Sequence, residues 1–181
     1  MALPAGKQKS RLADALLAEG PDPDYADALM LFGRFVGEWD VDWTAYDGDG
    51  RQVANERGEW IFDWVLEGRA VQDVWIIPAR GRRGRPSREG EYGTTIRFYD
   101  PQLDVWLVTW SGPINRARRT FVARASGWDI VQDGQNEQGH PLRWVFSDIE
   151  PRSFCWQSFC SHDGGNTWRL REEMHVYRGL D

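Results

Sequence analysis

The residues of this chain best placed to do chemistry are two opposite charges that keep step with apolar neighbours. Arg119 alternates in phase with Ala117, Phe121 and Ala123, and Glu172 with Leu170, Met174 and Val176. Residues two apart on a β-strand share a face, so both side chains are expected on the apolar side of their strands. A charge in that position loses several kcal/mol of solvation unless it is paired. Arg119 and Glu172 can satisfy each other, which is a purely structural arrangement. They can instead orient a polar or carboxylate group on an otherwise apolar ligand, as a few convergent polar groups do in most pockets. A third use falls to Glu172 alone, since a buried carboxyl with a raised pKa can serve as a general base. No activated nucleophile accompanies it in the sequence. Glu56, Gln72, Asp73 and Thr94 are weaker candidates, because the inward face of the run Ala70–Ile77 is ambiguous.

The chain has 11 tryptophans. Trp39, Trp43, Trp60, Trp64, Trp106, Trp110, Trp128, Trp144 and Trp156 fall on the more apolar face of their strands. Each can bury roughly 150–250 Å², enough to fill a core outright or to line a pocket within it. Trp43, Trp60, Trp110, Trp144 and Trp156 join Arg119 and Glu172 as the expected ligand-binding set. Cys155 and Cys160 lie on opposite faces of one strand by alternation, so a disulfide between them is not expected. With only His140, His162 and His175 to add, the residues do not suggest a structural zinc site, and no cofactor can be read from them.

Two kinds of element must position these groups. Before Gly37 the apolar period is helical. Ser10 can cap a helix carrying Leu12, Ala13, Leu16 and Leu17 on one face, with Gly20 stopping it. Asp24 can cap a second helix through Ala26, Leu29, Met30 and Phe32, ending near Gly33. From Gly37 onward the period is two. Strands are expected around Trp39–Ala45, Trp60–Trp64, Ala70–Ile77, Tyr92–Tyr99, Val105–Ser111, Arg116–Arg124, Trp128–Gln132, Leu142–Ile149, Phe154–Cys160 and Trp168–Arg178. Turn chemistry separates them, as at Asp47–Gly50, Ser126–Gly127, Asp133–Gly134 and Asp163–Gly165, and short connections imply antiparallel neighbours. The arginine-bearing stretch Ala79–Gly90 reads as a long exposed hairpin loop. It lacks the interleaved aromatics of a nucleic-acid surface.

About ten antiparallel strands, each with one apolar face, must stack as two sheets or close, and closure removes the edges. The expected fold is therefore all-β, a ten-stranded up-and-down antiparallel barrel with short N-terminal helices. Residues 1–35 form the helical segment and 36–181 the barrel domain. A barrel of that size has room for one small molecule, so the expected function is binding a small, largely apolar or aromatic ligand inside it. Net charge is −6, which argues against nucleic acid or an anionic membrane as partner and is compatible with a homodimer. No apolar run reaches the length of a signal sequence or membrane span, so a cytoplasmic location is expected.

Gly37, Glu38 and Trp39 form a Gly-x-Trp on the first strand, directly after a short helix, and this resembles the opening motif of lipocalin-like (calycin) barrels. Arg178 resembles the basic residue that packs over that tryptophan in calycins. The turn from Trp64 to Arg69, with Tyr99, Asp100 and Pro101, looks like an uncharacterised bacterial branch of the superfamily. The resemblance spans Phe35 to Arg178 and implies a ligand-binding barrel. The related nitrobindin-like barrels imply haem ligated by a late histidine, here His175. That residue shares a face with Arg171, Glu173 and Tyr177, which points it to solvent. Ser161, Asp163, Gly165, Thr167 and Trp168 match the Asp-box of sialidase-like propellers. The box occurs once and without blade-length repeats, so a well-formed hairpin is expected there.

Overall fold

The computed structural model describes residues 10–83 and 90–179. Its strands are β1 (Gly37–Tyr46), β2 (Gln52–Val65), β3 (Ala70–Ile77), β4 (Glu91–Asp100), β5 (Val105–Gly112), β6 (Ala117–Ser126), β7 (Asp129–Gln135), β8 (Pro141–Glu150), β9 (Ser153–Cys160) and β10 (Arg169–Tyr177). Each is antiparallel to the next, and β1 pairs with β10 to close the barrel, with Val41 opposite Val176 and Trp43 opposite Met174. The order is up-and-down, so alternate connections collect at opposite ends. Turns 47–51, 113–116, 136–140 and 161–168 ring one end, the mouth. Turns 66–69, 101–104, 127–128 and 151–152 ring the other.

Two helices, α1 (Arg11–Leu16) and α2 (Ala26–Gly33), precede the barrel, and α2 plugs that second end. Leu29 and Phe32 are one helical turn apart on α2, and together with Phe35 they are fully buried in the barrel. The Phe32 ring meets Trp106 at 4.9 Å between centroids, and Phe35 meets Phe154 at 4.7 Å. Gly33 has to be glycine for α2 to seat so deeply, because a Cβ there would lie 2.3 Å from the Trp64 ring. The entry into β1 is fastened twice. Trp39 Nε1–H donates to the Phe35 carbonyl at 2.6 Å, and the Arg178 guanidinium lies 4.1 Å above the Trp39 ring while donating to the Val36 carbonyl at 2.9 Å. A closed ten-strand barrel with this fastening fits a calycin-like fold.

Just inside the plug, Asp73 on β3 and Arg97 on β4 form an ion pair, their side chains 0% and 1% exposed. Asp73 Oδ1 also accepts the Thr95 backbone N–H at 3.2 Å. The guanidinium sits over the rings of Phe32, Phe62 and Phe146 at 5.0, 5.6 and 6.0 Å, where the ring faces attract its charge. This placement settles the phase of β3. Val71, Asp73, Trp75 and Ile77 point inward, and the signal was obscured because the outward-phase residues Ala70 and Ile76 are buried as well. Of the weaker candidates, Gln72 donates to Thr94 Oγ1 at 2.9 Å on the outer phase of β3 and β4, while Glu56, in the inward phase of β2 opposite Trp43, pairs with Arg82 at 3.0 Å and is off the cavity wall.

Several local expectations need correcting. Ser10 occupies the N-cap of α1 without a side-chain cap bond, and α1 ends at Leu16, well short of Gly20. Its apolar face is not buried, with Leu12 74% exposed. Asp24 does not cap α2. It lies inside a 3-10 turn, Pro23–Tyr25, whose cap is Asp22, since the preset φ of Pro23 starts that turn one residue earlier. Trp128 is 94% exposed. It belongs to the β6–β7 turn beside Gly127, whose φ of +64° turns the chain before the inward alternation of β7 begins. The start of the arginine-bearing loop is exposed but anchored, with Arg80 and Arg82 pairing to Glu59 and Glu56 of β2 at 2.6 and 3.0 Å. Arg85 and Arg88 lie outside the described residues. Among the described residues, no helix is long and apolar enough to cross a membrane.

Replacing Asp73 by Ala should leave the Arg97 charge buried and uncompensated, lowering unfolding free energy by about 3–5 kcal/mol. Replacing both residues by apolar ones of similar volume should recover most of that loss. Urea denaturation of the single and double variants measures both, and additive losses would show that the two charges are not coupled.

Candidate functional site

The inward residues of the plugged half are nearly all large and aromatic. Above them, toward the mouth, the inner face carries smaller ones, including Ala45, Ala117 and Ser158, and a cavity of about 780 Å³ opens. The floor is a layer of interlocked indoles. Trp75 meets Trp110 at 5.0 Å and Trp156 at 5.3 Å, and Trp144 meets Trp156 at 5.2 Å and Phe121 at 4.2 Å. Glycines on the inner face make this layer fit. A Cβ on Gly93 would stand 2.3 Å from the Trp110 ring, and one on Gly134 would stand 2.6 Å from Phe121.

The expected ligand-binding residues divide between wall and core. Trp43, Trp110, Arg119 and Glu172 line the cavity. Trp60, Trp144 and Trp156 are off its wall and packed into the buried aromatic cluster. Sequence reasoning missed Trp75, Glu91, Glu137, Cys160 and His162, all of which line it. For Trp75 the alternation with Asp73 and Ile77 was the available signal. Glu137 and His162 sit in turns, which have no period to read.

Arg119 and Glu172 share the cavity but are not an ion pair. The Arg119 carboxylate partner is Glu137 of the β7–β8 turn, with Nε 3.5 Å from Oε1. That contact misses hydrogen-bond geometry, and Arg119 Nε is a buried donor with no hydrogen-bond partner among the described residues. Burial raises the Glu172 pKa above its ordinary value. The Arg119 charge and the Trp43 indole N–H pull it back, Glu91 adds to the rise, and the net shift is upward. The Trp43 N–H faces that carboxyl closely enough to act on it, yet it too lies outside hydrogen-bond geometry, as does any partner for Trp75 Nε1. Three buried donors, on Trp43, Trp75 and Arg119, thus border one cavity with their hydrogen-bonding capacity unused by the described residues. The indole N–H groups of Trp60 and Trp144 and the Arg97 Nε–H are in the same condition deeper in the barrel, so what sets these three apart is their place on the cavity wall.

The histidines separate cleanly. His175 is 68% exposed on the outer face of β10, with Nε2 3.5 Å from Glu173. His162 stands on the cavity wall, its Nε2 3.9 Å from Cys160 Sγ and its ring 4.6 Å from that of His140. The Asp-box is what holds it there. Ser161 Oγ donates to Asp163 Oδ1 and accepts the Gly165 N–H, both at 2.8 Å, and Asp163 accepts Thr167 Oγ1–H at 2.6 Å and Thr167 N–H at 2.8 Å. These bonds hold the Asp163 carboxyl well below the usual carboxylate range. Cys155, on the outward-facing positions of β9, is a free thiol pushed up to about 11 by burial and by Glu173. Among the described residues, no three His, Cys, Asp or Glu side chains are grouped so as to hold a metal ion.

Models of known protein families and the curated proteins were both compared with this chain, and none matches it.

The raised pKa of Glu172 makes folding depend on pH in a defined direction. Below its ordinary value of 4.5 the carboxyl is protonated in both states and carries no penalty. As pH rises from there through the folded pKa, the unfolded chain releases the proton first, so stability is lost. Glu172→Gln lacks this loss. Its stability relative to the native protein should grow with pH across that window and then level off in denaturation curves. A difference that stays constant with pH would show that the carboxyl is not desolvated.

Proposed function

We propose that this protein binds a small molecule in the mouth half of the barrel, one with an apolar or aromatic body and a carbonyl or carboxylate head. The observation that carries the reading is the unpartnered Arg119 guanidinium Nε on the wall of the 780 Å³ cavity. That volume lies within the range of small-molecule sites, which combine aromatic walls with a few placed polar groups. Trp43, Trp75, Trp110, Ile77 and Leu142 supply apolar surface for the body. Arg119 and the indole N–H groups supply donors, and a protonated Glu172 would add another. An acceptor-rich head satisfies all of these together.

This use agrees with what the Gly-x-Trp opening and the Arg178 cover imply by their resemblance to calycin barrels and to their uncharacterised bacterial branch. Haem held by His175 is not carried forward, because that imidazole stands on the outer surface, away from the cavity. Catalysis through Glu172 remains a second use of the same carboxyl, favoured by its raised pKa at the cavity wall.

Titration with 2-naphthoate, followed by quenching of tryptophan fluorescence, tests the reading. Saturable binding is expected, and Arg119→Ala should weaken it about tenfold or more, as loss of a hydrogen bond to a charged group does. Methylnaphthalene, which lacks the head, should bind both proteins alike. Equal naphthoate affinity in native protein and variant would overturn the proposed role of Arg119, and no saturable quenching by either compound would overturn the site.

A further inference from the structure

The last inward position of β9 is Cys160, which brings a thiol to the cavity wall at the mouth. The next inward-facing chemistry in the chain is His162, two residues on. The hydrogen-bonded Asp-box turn fixes this residue with its Nε2 3.9 Å from the Cys160 sulfur, and the His140 ring packs edge-on against it. A nucleophile beside a base, with the base oriented by a third group, is the arrangement of covalent chemistry, and such contacts are commonly looser before a ligand is present. Across the cavity on β3, Trp75 is 5% exposed and its buried Nε1–H has no hydrogen-bond partner among the described residues. It is a donor suited to an oxygen on which negative charge develops.

We propose that Cys160 captures electrophilic ligands covalently, specifically α,β-unsaturated carbonyl compounds with an apolar or aromatic body, with His162 as the base. The inference rests on the binding reading above and adds a reaction to it. The thiol proton passes to His162 Nε2, and the sulfur electron pair forms an S–C bond to the β-carbon. The C=C π pair moves toward the carbonyl to give an enolate, and the proton then returns to the α-carbon. Every atom of both reactants stays in the adduct, so neither an oxidant nor a leaving group is required.

Cys155 provides an internal comparison. It too is a buried free thiol, but it occupies the outward phase of β9, where burial and Glu173 oppose its ionisation. Thiolate formation controls cysteine reactivity.

The test uses N-phenylmaleimide as electrophile and N-phenylsuccinimide as its unreactive counterpart. Labelling of the native protein, mapped by peptide mass spectrometry, should fall on Cys160 in preference to Cys155. Its rate should saturate with reagent concentration and should be slowed by N-phenylsuccinimide. Cys160→Ser should abolish the adduct and Cys155→Ser should leave it intact. His162→Gly should slow labelling by about a hundredfold, the lower range for a positioned base, and added imidazole should restore it. Comparable labelling of Cys155, a rate that stays linear in reagent, or a His162→Gly rate equal to the native one would each overturn the proposal. Quenching of tryptophan fluorescence by N-phenylsuccinimide without adduct formation would overturn covalent capture and leave the binding site standing. Neither quenching nor labelling would overturn both.

Discussion

A closed sheet of ten strands encloses more space than a single lining of side chains fills, and everything else in this molecule follows from how that space is used. At one end it is taken up by indoles and phenyl rings and by α2, which inserts Leu29 and Phe32 from below. At the other end small residues on the inner face leave the cavity. The division is possible because the aromatic layer is self-supporting. Its rings meet edge to face or tilted at 4.2–6.2 Å, as in the Phe121–Trp144 and Trp110–Trp144 pairs, so the floor does not depend on anything above it.

Two pairs of opposite charges inside the barrel show the difference between full and partial compensation. Asp73 and Arg97 meet directly, with a backbone N–H on the carboxylate and ring faces against the guanidinium, so each charge is compensated where it is buried. Such a pair fixes the register of β3 on β4 and closes that part of the interior to other partners. Arg119 and Glu172 lie across a cavity from direct contact, and their neighbours satisfy them incompletely. The Glu172 carboxyl responds by holding its proton more tightly. Incomplete compensation is tolerable near the mouth, where solvent or a bound molecule can reach the groups, and would be severely destabilising beside Arg97.

The fold was legible because period-two alternation is imposed by the backbone itself and survives in almost every strand. The inward phase of Arg119 came from the same regularity, and that of Glu172 from Met174 and Val176 alone, since a bulge between Leu170 and Glu172 breaks the expected step with Leu170. It failed where two constraints overlapped. On β3 both faces are buried, so the phase that brings Asp73 and Trp75 inside could not be told from its opposite. Trp128 follows a glycine turn, where adjacency to a strand says nothing about facing. Which tryptophans border the cavity was not legible at all. Trp43 and Trp144 have the same alternation, and only their height along the barrel separates wall from core. That height is a product of strand stagger around the closed sheet, which no single segment encodes.

The rim of the site is built from connections, and their chemistry is the most local in the chain. Glu137 arrives on a turn whose Asn136 side chain accepts the N–H groups of Gln138 and His140. His162 arrives on the Asp-box, where Ser161, Asp163 and Thr167 close a ring of hydrogen bonds independent of the sheet. Both turns are therefore rigid by their own composition, and the barrel needs only to hold their ends. In a propeller the same box recurs from blade to blade. Here a single copy fixes one imidazole against one thiol at the mouth of a cavity, so a motif whose resemblance pointed elsewhere becomes the element that sets the geometry of this site.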